Sequence, residues 1–188
     1  LAALAHPAIA RLIDGGVTDA GVPYLVMDHV DGLPITRHAD VRALDVTARL
    51  RLLCEVCRAV EAAHRQLVVH CDLKPSNILV TAEGAPRLLD FGVARLLDAA
   101  GDNEGATATG LTPGYAAPEQ YTGAAVTTAT DVYALGVLMQ ELLSGERPNE
   151  AMPAPPTLKG DLGAILAKAT DVDPARRYAS AGDLADDL

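Results

Sequence analysis

Four polar residues stand out by type and spacing. Asp72, Lys74 and Asn77 lie within His70-Cys71-Asp72-Leu73-Lys74-Pro75-Ser76-Asn77, and Asp90 heads Asp90-Phe91-Gly92. A carboxylate accepts a proton or binds a hard cation, an ammonium neutralises an anion, and an amide oxygen is a hard ligand. Asn77 stands five positions after Asp72, a span over which one loop can present base, cation and metal ligand to a common point. Further on, Thr112-Pro113-Gly114-Tyr115 runs into Ala117-Pro118-Glu119. Each aspartate alone is an ordinary surface or turn residue, and Asp-Phe-Gly recurs by chance. The ordered set carries the information.

The elements around these residues follow from periodicity. Residues 9–13 and 23–30 read as strands, with Gly15, Gly16, Asp19 and Gly21 marking a turn between them, so a hairpin is expected. From about Asp45 to Gln66, Leu50, Leu53, Cys54, Cys57, Val60, Glu61 and His64 recur at helical spacing. Leu67-Val68-Val69 reads as a short buried strand leading into His70. Residues 78–80 and 87–89 read as a second hairpin turning at Glu83-Gly84. Residues 98–113 read as a long loop of the kind that is usually functional. Thr130–Leu143 is a strongly apolar helix. The proline-rich stretch 145–158 is irregular, and residues 162–170 and 179–188 are helical, the last with Ser180 as its N-cap. The expected fold class is α+β, a small hairpin unit followed by a mainly helical body.

Composition bounds the function. The 188 residues are 49% hydrophobic and 21% charged, which suits one compact core. A net charge of −10, from 25 acids against 15 Lys and Arg, excludes a basic nucleic-acid-binding surface. Cys54, Cys57 and Cys71 form no disulfide framework. Cys54 and Cys57 fall one helical turn apart in an apolar stretch and read as packing. This usage fits a reducing compartment, and the expected location is cytoplasmic. No signal peptide or membrane-length apolar run is visible, so any membrane attachment is expected to lie outside this chain.

In order and spacing, the three motifs resemble the protein-kinase signature set. Tyr24-Leu25-Val26-Met27, Ala117-Pro118-Glu119-Gln120 and Arg176-Arg177-Tyr178 look most like bacterial Hanks-type serine/threonine kinases. The resemblance covers almost the whole chain and implies a protein-kinase-like fold. Residues 1–30 would be a remnant of the N-lobe (strands four and five) with the hinge, and residues 31–188 the C-lobe, cut at both ends. It implies ATP and magnesium as cofactors and protein Ser/Thr hydroxyls as acceptors. Asp72 would then be the base, Lys74 would sit near the γ-phosphate, and Asn77 and Asp90 would ligate magnesium. Thr112 would hydrogen-bond Asp72 and Lys74. Met27 would be the gatekeeper, the backbones of Asp28 and Val30 would meet the adenine edge, and Leu79 would lie under the ring. Asp131 would anchor the catalytic loop's backbone and Arg177 would pair with Glu119.

Three departures qualify the resemblance. The only lysines are Lys74, Lys159 and Lys168, so the strand lysine that holds the α/β-phosphates is absent from this chain, as is any glycine-rich phosphate loop. Two explanations compete: an N-lobe lying outside the chain, or a pseudokinase. The presence of Asp72, Lys74, Asn77 and Asp90 together favours the first. The chain alone is expected to be inactive. Cys71 stands where family members activated by loop phosphorylation carry arginine, and a thiol cannot grip a phosphate as a guanidinium does. Thr107 and Thr109 occupy the usual phosphosite region, and activity is expected not to depend strictly on them. Residues 146–158 are short and proline-rich where kinases usually dock protein substrates. Two other classes compete with a kinase: a catalytically dead scaffold module, and a small-molecule phosphotransferase of the aminoglycoside-kinase type. Lys74, Thr112 and Glu119 argue against the latter.

Overall fold

The structure is a computed structural model that describes residues 6–91, 112–146 and 158–188. The central helix, α4 (Thr128–Ser144), is apolar on nearly all sides, and it is buried on nearly all sides. Val132, Leu135, Leu138, Met139 and Leu142 are fully covered. The Thr127 hydroxyl accepts the Ala129 N–H to start this helix, and Gly145, at φ 73°, ends it. In α2 (Val46–His64) the Asp45 carboxylate accepts the Ala48 N–H at 2.8 Å. The face carrying Leu53, Val56, Cys57, Val60 and Ala63 enters the same core.

Two C-terminal helices complete the body. In α5 (Gly160–Ala169), Leu166 and Ala169 are buried against α4. The approach is close because Gly136 has no side chain: a Cβ there would stand 2.8 Å from Thr170 Cγ2 and 2.9 Å from Ala169 Cβ. Helix α6 (Ala181–Asp187) begins at Ser180, whose hydroxyl accepts the Asp183 N–H at 3.0 Å, and it packs on α2. Cys54 sits at this seam, one turn from buried Cys57. Burial pushes both thiols up, and the Cys54 thiol donates to the Ala185 carbonyl. Two short helices, α1 (Ile35–Val41) and α3 (Pro118–Thr122), connect the body to its loops.

The strands form two small sheets. β1 (Leu12–Val17) pairs antiparallel with β2 (Pro23–Met27), Leu12 opposite Met27 and Gly16 opposite Tyr24. β3 (Leu33–Pro34), β4 (Ile78–Val80) and β5 (Pro86–Leu88) form the other, Ile78 opposite Leu88. Residues 8–10 extend its β5 edge: Ala10 N–H donates to the Leu88 carbonyl and Leu88 N–H to the Ala8 carbonyl. The expected α+β class with a mainly helical body is what is observed.

Several boundaries differ from the sequence reading. The first strand lies at Leu12–Val17, not 9–13, and Gly15 and Gly16 are inside it. Partner side chains lie over both glycines. A Cβ would meet the Leu25 side chain at the first and the Tyr24 ring at the second. The turn falls at 18–22, where Thr18 N–H donates to the Val22 carbonyl and its hydroxyl accepts the Val22 N–H. The second strand stops at Met27 rather than 30. Residues 67–69 form no strand: Leu67 adopts φ 60° and is 94% exposed, so this apolar run is a helix exit. The readings at 98–111, Thr107, Thr109 and 147–157 lie outside the described residues.

Candidate active site

Asp72 is brought into place by a network that starts at α4. Asp131 is 1% exposed, and its carboxylate accepts three N–H groups. His64 Nε2 at 2.7 Å and the His70 backbone N–H at 2.8 Å reach Oδ2, and the Cys71 backbone N–H at 2.9 Å reaches Oδ1. Cys71 adopts φ 68°, a left-handed conformation that a residue with a Cβ holds only when its surroundings impose it. The Asp131 carboxylate is one of those surroundings. The expectation that Asp131 anchors this loop describes what is seen, whereas the part of His64 had passed as one more position on the α2 face.

His70 braces the loop from below. It is fully buried, its Nε2 lies 2.8 Å from the Leu89 carbonyl, and its ring centroid is 4.6 Å from that of Phe91. Its Nδ1 accepts the Asp72 N–H at 3.4 Å, which assigns the proton to Nε2. Burial pushes the imidazole below its ordinary pKa. Asp131, the Leu89 carbonyl and Asp72 pull the other way without overcoming it, so the ring is neutral at physiological pH.

Three predicted residues meet directly. Asp72 Oδ1 accepts the Thr112 hydroxyl at 2.8 Å, and Oδ2 lies 2.7 Å from Lys74 Nζ. Lys74 Nζ in turn donates to Thr112 Oγ1 at 2.8 Å, closing a triangle of carboxylate, ammonium and hydroxyl. Asn77 joins from the turn Pro75–Asn77, its Nδ2 donating to the Asp72 carbonyl at 2.9 Å and to Asp72 Oδ2 at 3.0 Å. Spending the amide hydrogens this way leaves Asn77 Oδ1 as an acceptor, and Ser76 Oγ donates to it at 3.4 Å.

Asp90 arrives by another route. Leu89 N–H donates to the Asn77 carbonyl at 2.9 Å, tying the end of β5 to the loop. The chain then turns at Asp90, φ 56°, whose exposed carboxylate has no hydrogen-bond partner among the described residues. An amide oxygen and an exposed carboxylate, on segments joined by a backbone bond, are a donor set suited to a hard divalent cation. No described group of three or more His, Cys, Asp or Glu offers another.

The remaining predicted residues form a separate group. Met27 ends β2, and Asp28 N–H donates to the Arg11 carbonyl at 2.9 Å. The Val30 N–H has no partner among the described residues. Leu79, opposite Pro34 and Arg87 in the three-stranded sheet, points to the face away from buried Ile78 and Val80. No hydrogen bond joins residues 27–30 to the Asp72 cluster among the described residues. Sequence reading gave no part to Gln120 or to the pairing of the Tyr115 hydroxyl with Glu141, a buried carboxylate of α4. Nothing in their spacing marks either one.

Behind the site, Glu119 and Arg177 form the expected pair. Arg177 NH1 and NH2 meet Oε1 and Oε2 at 2.7 and 2.8 Å, with side-chain exposures of 0% and 6%. Burial would raise the Glu119 pKa. Hydrogen bonds from Arg177 and Thr130 and from its own backbone outweigh that and hold it below the usual range.

A loop that brings a carboxylate, an ammonium and an amide together, closed by a threonine from a second segment, holds residue types that phosphoryl transfer uses. Comparison with known sequences agrees. The protein kinase domain model matches residues 1–179. The serine/threonine-protein kinase PknB of Mycobacterium tuberculosis is 34% identical over 210 aligned positions, covering 100% of this chain and 34% of its own length. PknA of the same organism is 36% identical over 208, covering 98% and 47%. A probable serine/threonine-protein kinase of Streptomyces coelicolor, SCO3848, is 33% identical over 211, covering 100% and 31%. The chain belongs to the protein kinase domain family, with its similarity to bacterial Hanks-type members, and it spans about a third of the length of its PknB relatives.

Proposed function

We propose that this chain carries the phosphoryl-transfer loop of a protein serine/threonine kinase. The observation that supports this reading is the Thr112 hydroxyl, which bridges Asp72 Oδ1 and Lys74 Nζ at 2.8 Å each. It brings the segment that would receive a protein substrate against the loop that would act on it. ATP with magnesium would supply the phosphoryl group and much of the charge neutralisation.

Asp72 then orients the acceptor hydroxyl and takes its proton, a contribution typically worth about 10²–10⁴ in rate. Lys74 faces charge developing on the transferred group. Asn77 Oδ1 and the Asp90 carboxylate hold the metal. Met27, the Asp28 and Val30 backbones and Leu79 contact the adenine. Thr112 lies in a segment that differs from the one tyrosine-specific kinases usually carry, which supports Ser and Thr hydroxyls as acceptors. The reaction belongs to the cytoplasm, where ATP and reduced thiols are available. No described helix is long and apolar enough to cross a membrane, so any membrane attachment would reside in other parts of a longer protein.

Because no lysine precedes residue 74, the 188-residue chain alone is proposed to transfer phosphate at no useful rate. The same fact supports a second reading, a catalytically dead, pseudokinase-type scaffold module. The test is to compare the chain with a version fused to a glycine-rich loop and strand lysine from a relative, using ATP, magnesium and a generic basic protein. Phosphoserine or phosphothreonine from the fused version alone supports the proposal. Phosphate transfer by neither version favours the scaffold, and transfer by the bare chain refutes its inactivity.

A further inference from the structure

The kinase reading leaves one motif residue without work: Gln120, which follows Ala117-Pro118-Glu119. Its carboxamide is engaged at both ends. Oε1 accepts the Ala117 N–H at 2.9 Å, half of a capping arrangement at the start of α3 that Ala117, without a side-chain acceptor, cannot reciprocate. Nε2 donates to the Cys71 carbonyl at 2.9 Å, across 49 positions of sequence.

That carbonyl belongs to the peptide unit immediately before Asp72. The same unit's N–H is the one accepted by His70 Nδ1 at 3.4 Å. The preceding N–H, that of Cys71, is held by Asp131. The peptide plane from which Asp72 departs is therefore gripped on its carbonyl side by Gln120. A rotation of this plane would swing the Asp72 carboxylate, and displacement of a reacting group by about 1 Å can cost 10²-fold in rate. Thr112 ties the same incoming segment to the Asp72 side chain. The segment thus holds Asp72 at two points, by side chain through Thr112 and by backbone through Gln120.

Resting on the kinase reading, we propose that Gln120 is a positioning residue for Asp72. Its carboxamide fixes the Cys71–Asp72 peptide and couples that peptide to the segment ending in Ala117-Pro118-Glu119. Such a coupling needs no phosphate, and residue 71 is a cysteine, which offers no guanidinium to bind one. The chemistry requires a donor and an acceptor on one planar group of this length. Glutamate keeps the acceptor for Ala117 but loses the donor, and sets an anion against the Cys71 carbonyl.

The experiment has two arms. In the fused kinase described above, Gln120→Glu is expected to lower kcat about tenfold while KM for ATP stays within about twofold. In the 188-residue chain, hydrogen exchange at the Asp72 and Leu73 amides is expected to speed up about tenfold, with the thermal midpoint within about 3 °C of the parent. Gln120→Met, of similar size and lacking both hydrogen bonds, is run in parallel. If Gln120→Glu lowers the midpoint further, the Met variant decides. Unchanged kcat and unchanged exchange overturn the proposal, as does a KM rise with kcat intact. A fused parent that transfers no phosphate counts against the kinase reading, and the exchange arm then decides the coupling by itself.

Discussion

Replacing Arg177 by methionine should be among the most damaging single changes to this fold. The guanidinium is fully buried and meets Glu119 through two parallel bonds of 2.7 and 2.8 Å. It also donates to the Asp171 carbonyl at 2.7 Å and the Ala129 carbonyl at 2.8 Å, and its Cζ lies 4.9 Å from the Tyr133 ring centroid. Methionine retains much of the volume but leaves the Glu119 carboxylate with the Thr130 hydroxyl as its remaining side-chain donor among the described residues. Removing one partner of a buried pair costs about 3–5 kcal/mol. With m about 2–3 kcal/mol per molar urea, the midpoint should fall by roughly 1–2.5 M. The double variant Glu119→Gln/Arg177→Met should recover part of this loss, because no charge is then left buried. Glu119 has a lower pKa folded than unfolded, so the pair's contribution is present above the ordinary glutamate pKa of about 4.3 and fades as pH falls through the folded value. Arg177→Met should abolish that acid-side slope. Urea titrations of the parent and both variants between pH 3.5 and 7 test this. A single-variant loss under about 1 kcal/mol, or a double variant worse than Arg177→Met, would refute the reasoning.

Further expectations concern the site itself. Thr112→Val, nearly isosteric, deletes both bonds to Asp72 and Lys74. It should lower kcat of the fused kinase about 10–100-fold with KM for ATP nearly unchanged, whereas Thr112→Ser should keep most of the rate. His70 binds its proton less readily when folded, so its contribution to stability is complete above about pH 6.5 and is lost as pH falls from there toward the lower folded pKa. His38, also lowered by burial and by Arg42, acts in the same direction. Urea midpoints should therefore decline between pH 7.5 and 5.5, and His70→Phe should flatten that decline.

Much of the site was readable because phosphoryl transfer constrains residue types and short spacings within one loop. Asp72, Lys74 and Asn77 fall within six positions, and the structure joins them by direct hydrogen bonds. What escaped was long-range. Gln120 reaches the Cys71 carbonyl and His64 reaches Asp131 across stretches of chain with no local periodicity to expose them. The fold shows the same division. Helices α2 and α4 declare themselves through apolar repeats, while the seven-residue α1 and five-residue α3 are too short to generate one. Gly15 and Gly16 signalled a turn by type, yet they form strand because Leu25 and Tyr24 fill the space over them. Leu67-Val68-Val69 has strand composition, but it follows directly on the end of α2 and must reverse before His70.

The central claim is that Asp72 acts on an acceptor hydroxyl while its neighbours hold the phosphate end of a nucleotide. Single-turnover phosphoryl transfer by the fused kinase, parent against Asp72→Asn, measures this most directly. Asparagine can keep the Thr112 and Lys74 neighbourhood but cannot take a proton. The expected result is a fall of about 10²–10⁴ in the transfer rate with ATP affinity unchanged. Transfer at the parental rate by Asp72→Asn would contradict the assignment.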